Sequence, residues 1–178
     1  TAAKFDIKKL QWMNGEYIKR MDPEAFFEKA LPYIERAVPN PAIDRRVLAE
    51  LAQTRIETFE DIAELLGFFN DVPEYDCAMY THKKMKTDPQ ISLNALKKVL
   101  PVLEACTDYS NDALFETLKV FAADNELKNG QIMWPVRTAV SGKEMTPGGA
   151  TQLLEILGKE ESLRRIRIAV DKLESYLA

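Results

Sequence analysis

Apolar residues recur at intervals of three and four from one end of the chain to the other, and strand-like alternation is almost absent. The pattern predicts an all-α protein. In FDIKKLQWMNGEYIKRM, Asp6 reads as an N-cap and Ile7, Leu10 and Trp12 fall on neighbouring faces until Asn14-Gly15 interrupts them. A helix, a corner and a second short helix are expected there. Asp22 caps the next segment with Pro23 at its first helical position, Pro32 is expected to kink or break its middle, and Pro39-Asn40-Pro41 ends it. Residues 42–55 carry Ile43, Val47, Leu48 and Leu51 on one stripe and turn a tight corner near Arg55. Thr58-Phe59-Glu60-Asp61 then reads as a capping box that opens a helix running to Phe69.

Between Asn70 and Pro89 the periodicity weakens, and HKKMKTDP suggests irregular chain with a short helix at most. A boundary in this stretch divides the chain into 1–86 and 87–178, two small helical bundles in series. Beyond it, helices are expected near 90–104, near 111–125 with Ser110 as cap, and near 131–140 despite Pro135. A last pair near 148–157 and 159–177 follows Thr146-Pro147-Gly148-Gly149.

Composition narrows the chemistry. A chain of 178 residues with 46% hydrophobic and 29% charged residues is long and apolar enough to fold on a core of its own. His82 is the single histidine, and Cys77 and Cys106 show no CxxC spacing, so a metal site is not expected and the thiols read as reduced. Glycine-loop, GxSxG and HExxH signatures are missing, so catalysis is not expected either. Glu60-Asp61 and Glu160-Glu161 read as complements to helix N-termini, and His82 as a solvated side chain in a basic loop. No apolar run approaches a membrane span and the first residues lack a secretory pattern, which points to the cytoplasm. A net charge of −4 excludes indiscriminate coating of nucleic acid, so any RNA contact has to be local.

Two constellations stand out. LQWMNGEYI gathers Leu10, Trp12, Met13, Tyr17 and Ile18, which would make a packing corner that docks the chain's start on the rest of the molecule. GQIMWPVRTAVSGKEMTPGG sets Arg137, Lys143 and the hydroxyls of Thr138, Ser141 and Thr146 near Trp134. Cation, hydroxyl and aromatic together suit single-stranded RNA bases, although an ordinary helix and turn would use the same residues.

The chain's start, KFDIKKLQWMNGEYIK, resembles the FDxxKLxWMNxxYI segment that follows the catalytic domain of bacterial glutamyl-tRNA synthetases. GQIMWPVRTAVSG, TPGG and LLEILGKEESLRRIRIAVDKL resemble elements near that family's C-terminus, in the same order. The family's HIGH-like and KMSKS-like motifs are absent, so the chain is similar to the C-terminal half: a stem-contact and first anticodon-binding subdomain over 1–86, then a second anticodon-binding subdomain over 87–178, in a helical cage.

That resemblance implies a partner, the anticodon loop and stem of tRNA(Glu), and a fragment that binds tRNA as a monomer without charging it. The family's ATP and Mg²⁺ sites would lie in the other half, leaving no cofactor here. The family's anticodon contacts fall on Arg55 in AQTRIETF, Lys119 in FETLKVFAA, Arg137 in WPVR and Thr146 in the Thr-Pro turn. Lys119 stands where an arginine can occur, which keeps charge without the planar fork, and Gly149-Ala150 follow where the family often has a bulky residue. Read without the resemblance, the residues also allow a helical protein-interaction module with no nucleic-acid role.

Overall fold

A computed structural model describes residues 6–178, and among these every regular element is helical. The chain divides into two compact units, the first ending at Asp71 and the second spanning Val72–Ala178.

In the first unit, α1 (Ile7–Lys19) is followed by α2 (Pro23–Ala37), α3 (Arg45–Gln53) and α4 (Asp61–Leu66), which continues into a 3-10 turn over Gly67–Phe69. The Asp6 carboxylate accepts from the Lys9 amide and that of Asp22 from the amides of Glu24 and Ala25, so both caps form as expected. α2 packs on α3 and α4 around Phe26, Ala30, Ile34, Leu48 and Ile62, and Phe59 stacks on Phe26 and Tyr33. Pro32 does not break α2.

Two expectations for this unit fail. Asn14-Gly15 makes no corner, because α1 runs through it. Gly15 is buried where a side chain would press on the Glu57 backbone, at 3.3 Å from its Cα, and the Asn14 amide donates to the Glu57 carbonyl. A glycine read as a breaker is a point of close approach. The Thr58-Phe59-Glu60-Asp61 box does form its reach-back contact: the Asp61 carboxylate accepts from the amide of Thr58, and from that of Glu57 before it, as α4 begins. LQWMNGEYI does not pack into a corner either, since α1 buries only Gly15 and Ile18 and leaves Trp12 and Tyr17 59% and 66% exposed. Lys4 and Phe5, which open the resemblance, lie outside the described residues.

The second unit holds α5 (Pro89–Ala105), α6 (Asn111–Asp124), α7 (Asn129–Ser141), α8 (Ala150–Leu157) and α9 (Lys159–Leu177). α7 packs against all four of the others. Before α5, a 3-10 turn over Cys77–Tyr80 packs on α5, α7 and α9 and buries Cys77 and Tyr80. That burial ties residues 72–86 to the second unit, so the division falls earlier than the boundary expected after residue 86. Ser110 stands at the N-cap of α6 but makes no side-chain capping bond.

α9 closes the ends of two other helices. Lys159 Nζ donates to the carbonyls of Glu104 and Cys106 at the end of α5, at 2.6 and 2.8 Å. The Arg165 guanidinium, 1% exposed, donates to the Val140 carbonyl at the end of α7 (2.7 Å) and to Glu161 (2.6 Å). Both cations satisfy carbonyls that a helix terminus leaves without partners. Glu161 is thus an ion-pair partner of Arg164 and Arg165 more than a complement to its helix end.

Candidate nucleic-acid interface

The second unit presents a cleft of about 720 Å³ beside α7, lined by His82, Lys84, Met85, Trp134, Arg137 and Met145 among others. Its geometry follows from how α7 ends. Gly142 sits at φ 61°, and a side chain there would also meet Tyr75 and Val72 at 2.9 Å. Glycine is required on both counts, and the left-handed turn stops the helix. The chain then doubles back so that the Glu144 carbonyl accepts from Arg137 Nη2 at 2.7 Å. Arg165, holding the Val140 carbonyl, fixes this same helix end.

The indole of Trp134 is fixed in place. Its Nε1 donates to the Met79 carbonyl at 3.1 Å, the His82 ring lies 4.1 Å from it centroid to centroid, and the Arg137 guanidinium sits 4.6 Å from its ring centre. Arg137 is half-buried, and that burial lowers its pKa from the ordinary value. Its Nε is buried without an acceptor, so the guanidinium is underbonded inside the protein.

Of the four residues singled out by the resemblance, one lines the cleft and a second follows directly after a residue that does, Met145. Arg137 lines the cleft, and Thr146 follows the segment that Arg137 grips, its hydroxyl donating to the Gly148 carbonyl at 2.8 Å. Lys119 is exposed on α6, paired with Glu116 at 3.2 Å, and does not line the cleft. Arg55 belongs to the first unit, at the turn after α3, where Nη1 donates to the Leu51 carbonyl (2.8 Å) and to Thr54 Oγ1 (3.2 Å). It therefore closes its own helix end while leaving Nε and Nη2 for an outside acceptor.

Other expectations for this stretch change. Thr138 and Ser141 are buried, and Ser141 Oγ donates back to the Arg137 carbonyl, so neither offers a hydroxyl at the surface. His82 is a wall of the cleft, its Nδ1 accepting from the Met85 amide at 3.2 Å. No local signal in the sequence brings His82 to Trp134, because the contact joins segments far apart along the chain. Among the described residues no group of His, Cys, Asp and Glu could hold a metal ion, and no helix is long and apolar enough to cross a membrane.

The comparisons with known proteins agree with one another. The chain is 60% identical over 97% of its length to a glutamate–tRNA ligase of Lachnoclostridium phytofermentans, and 49% identical over 97% to one of Clostridium acetobutylicum. It spans about a third of the length of these relatives, 35% and 36% respectively. In fold it is similar to part of a glutamate tRNA ligase from Elizabethkingia meningosepticum, with a TM-score of 0.80 at 24% identity, covering 97% of this chain and 34% of that one. A family model described as an anticodon binding domain matches residues 10–170. By that match, which takes in both helical units, the chain belongs to the family of anticodon-binding domains.

Proposed function

We propose that this chain recognises the anticodon loop of a glutamate tRNA on behalf of a glutamate–tRNA ligase, and that the ligase's ATP, Mg²⁺ and amino-acid chemistry resides in the portion of the relatives that this chain does not span. The observation that carries the reading is the cleft at Trp134 and Arg137: a fixed aromatic ring and a guanidinium held against it, both lining one open cavity. Unpaired bases are bound by stacking and by donors to their pairing edges, and this pair supplies both at little ordering cost. The family match favours this reading over a protein-interaction module.

In this reading Arg137 donates to a splayed base and Thr146 holds the neighbouring turn, while Lys119 supplies charge toward a phosphate. Arg55 reads the third anticodon base from the first unit. Arginine only donates; it matches the O2 and N3 acceptors of C, the last base of Glu anticodons, and opposes the N1–H and N2–H donors of the G that ends Gln anticodons. The fragment acts as a monomer in the cytoplasm and also touches the tRNA stem.

The test is binding of the 178-residue chain to two anticodon stem-loops that differ only in the third base. Tighter binding of the C form than of the G form, and of both than of an unrelated hairpin, is expected. Equal affinity for all three RNAs would overturn the reading.

A further inference from the structure

The residues between the 3-10 turn and α5 form a small, firmly anchored loop. His82 and Thr87 exchange backbone hydrogen bonds at 3.1 and 3.3 Å, and Lys86 takes the left-handed conformation, φ 57°, that closes the turn between them. Met85 lies against Gly130 in the first turn of α7, where a side chain would meet its sulfur at 2.6 Å. The Lys86 carbonyl accepts from Gln131 Nε2 at 3.4 Å, and the His82 ring rests on Trp134. The loop is therefore pinned along the same helix that carries Arg137. From it Lys83, Lys84 and Lys86 all reach solvent, and Lys84 lines the cleft.

None of these lysines is paired with a carboxylate among the described residues. The nearest acid in sequence, Asp88, is committed to the Ile91 amide at the start of α5. In a chain of net charge −4, three cations without an ion-pair partner on one anchored loop, with Arg137 across the cleft, outnumber the two carboxylates, Asp76 and Glu144, that also line it. Grooves that hold single-stranded nucleic acid pair aromatic surfaces for the bases with cations along the backbone.

We propose that Lys83, Lys84 and Lys86 form a phosphate-binding rim that takes the RNA backbone next to the nucleotide held at Trp134 and Arg137. The rim supplies sequence-independent affinity and leaves base choice to Arg55 and Arg137. This inference rests on the RNA-binding reading above, and the experiment separates the two.

Affinity of the 178-residue chain for a labelled Glu anticodon stem-loop is measured over a range of salt concentrations. The comparison is with Lys83→Gln/Lys84→Gln/Lys86→Asn, where asparagine is chosen because it tolerates the left-handed position. Lys83→Gln/Lys84→Gln keeps Lys86 should the triple variant fail to fold, as checked by circular dichroism. The slope of log affinity against log salt should fall by roughly 2 in the triple variant and by roughly 1.4 in the double, at roughly 0.7 per phosphate lost. The preference for C over G at the third base should not change, and Lys83→Arg/Lys84→Arg should keep the wild-type slope. Unchanged slope and affinity in the neutral variants overturn the rim while leaving RNA binding intact. Failure of the wild type to prefer this RNA over an unrelated hairpin overturns the RNA-binding reading, and the rim with it.

Discussion

Arg55 and Arg137 stand in different units and are held by different means. Arg55 lies exposed at a turn, bonded through one nitrogen to the helix it follows, with nothing built around it. Arg137 is set in a frame: a guanidinium over a fixed indole, a carbonyl returned to it by a left-handed glycine, and a helix end secured by a buried arginine. The second arrangement spends folding energy to hold a donor in place before RNA arrives, and the first leaves the donor to be ordered on binding. Under the function proposed above, the contrast predicts that the second unit supplies most of the affinity and that the Arg55 corner mainly supplies discrimination.

The strongest way to break this contrast is to remove the frame. Arg165→Ala should destabilise the second unit by about 3 kcal/mol, since it leaves Glu161 without its buried partner and the Val140 carbonyl unmet. Denaturant unfolding would report it. The same pair gives the protein an acid limit. Hydrogen bonds from Arg164 lead, followed by those from Arg165, and against burial they hold the Glu161 carboxyl at about 2 instead of its ordinary 4.5. A folded-state pKa below the unfolded one means that the stabilisation is complete above about pH 4.5 and is lost as pH falls from there toward 2. Glu161→Gln should flatten the fall of the unfolding midpoint across that window.

Gly142→Ala comes next, at about 2 kcal/mol of stability, because the new methyl meets Tyr75 and Val72 in a conformation alanine resists. If Gly142→Ala matches the wild type in thermal unfolding, the turn is not the constraint described. Arg137→Ala should instead cost on the order of 2 kcal/mol of RNA binding and a smaller loss of stability, about 1 kcal/mol, from the Glu144 hydrogen bond and the indole contact it gives up. Loss of stability without loss of binding would make Arg137 part of the scaffold and erase the difference between the two arginines. Smallest is Arg55→Gln, which should narrow the preference for C over G by about 1 kcal/mol, read by competition between the two stem-loops. An undiminished preference would mean that Arg55 only closes α3.

Much of this frame is local in the sequence and therefore legible there. The Asp22-Pro23 start of α2 and the helices from Pro89 onward follow from caps and periodicity, which act within a few residues. Trp134 and Arg137, three apart on α7, had to share a face. What the sequence hides is long-range. Gly15 looks like a breaker until Glu57 is seen against it, and Pro32 looks like a break until α2 is seen to continue through it. Likewise Lys159 and Arg165 look like surface charges on an amphipathic helix until the carbonyls of α5 and α7 are found beneath them. His82 reads as solvated for the same reason: its partner Trp134 is far along the chain.

The claim that RNA occupies the cleft of the second unit can be tested through its indole. Trp12 and Trp134 are the two tryptophans of the chain, and Trp12 is exposed on α1, so Trp12→Phe leaves Trp134 as a single reporter. Titration of that variant with the Glu anticodon stem-loop should change Trp134 emission saturably, at the same midpoint as binding followed on labelled RNA. Arg137→Ala should shift both midpoints together. Binding on the labelled RNA with Trp134 emission unmoved would place the RNA elsewhere on the protein and contradict the account.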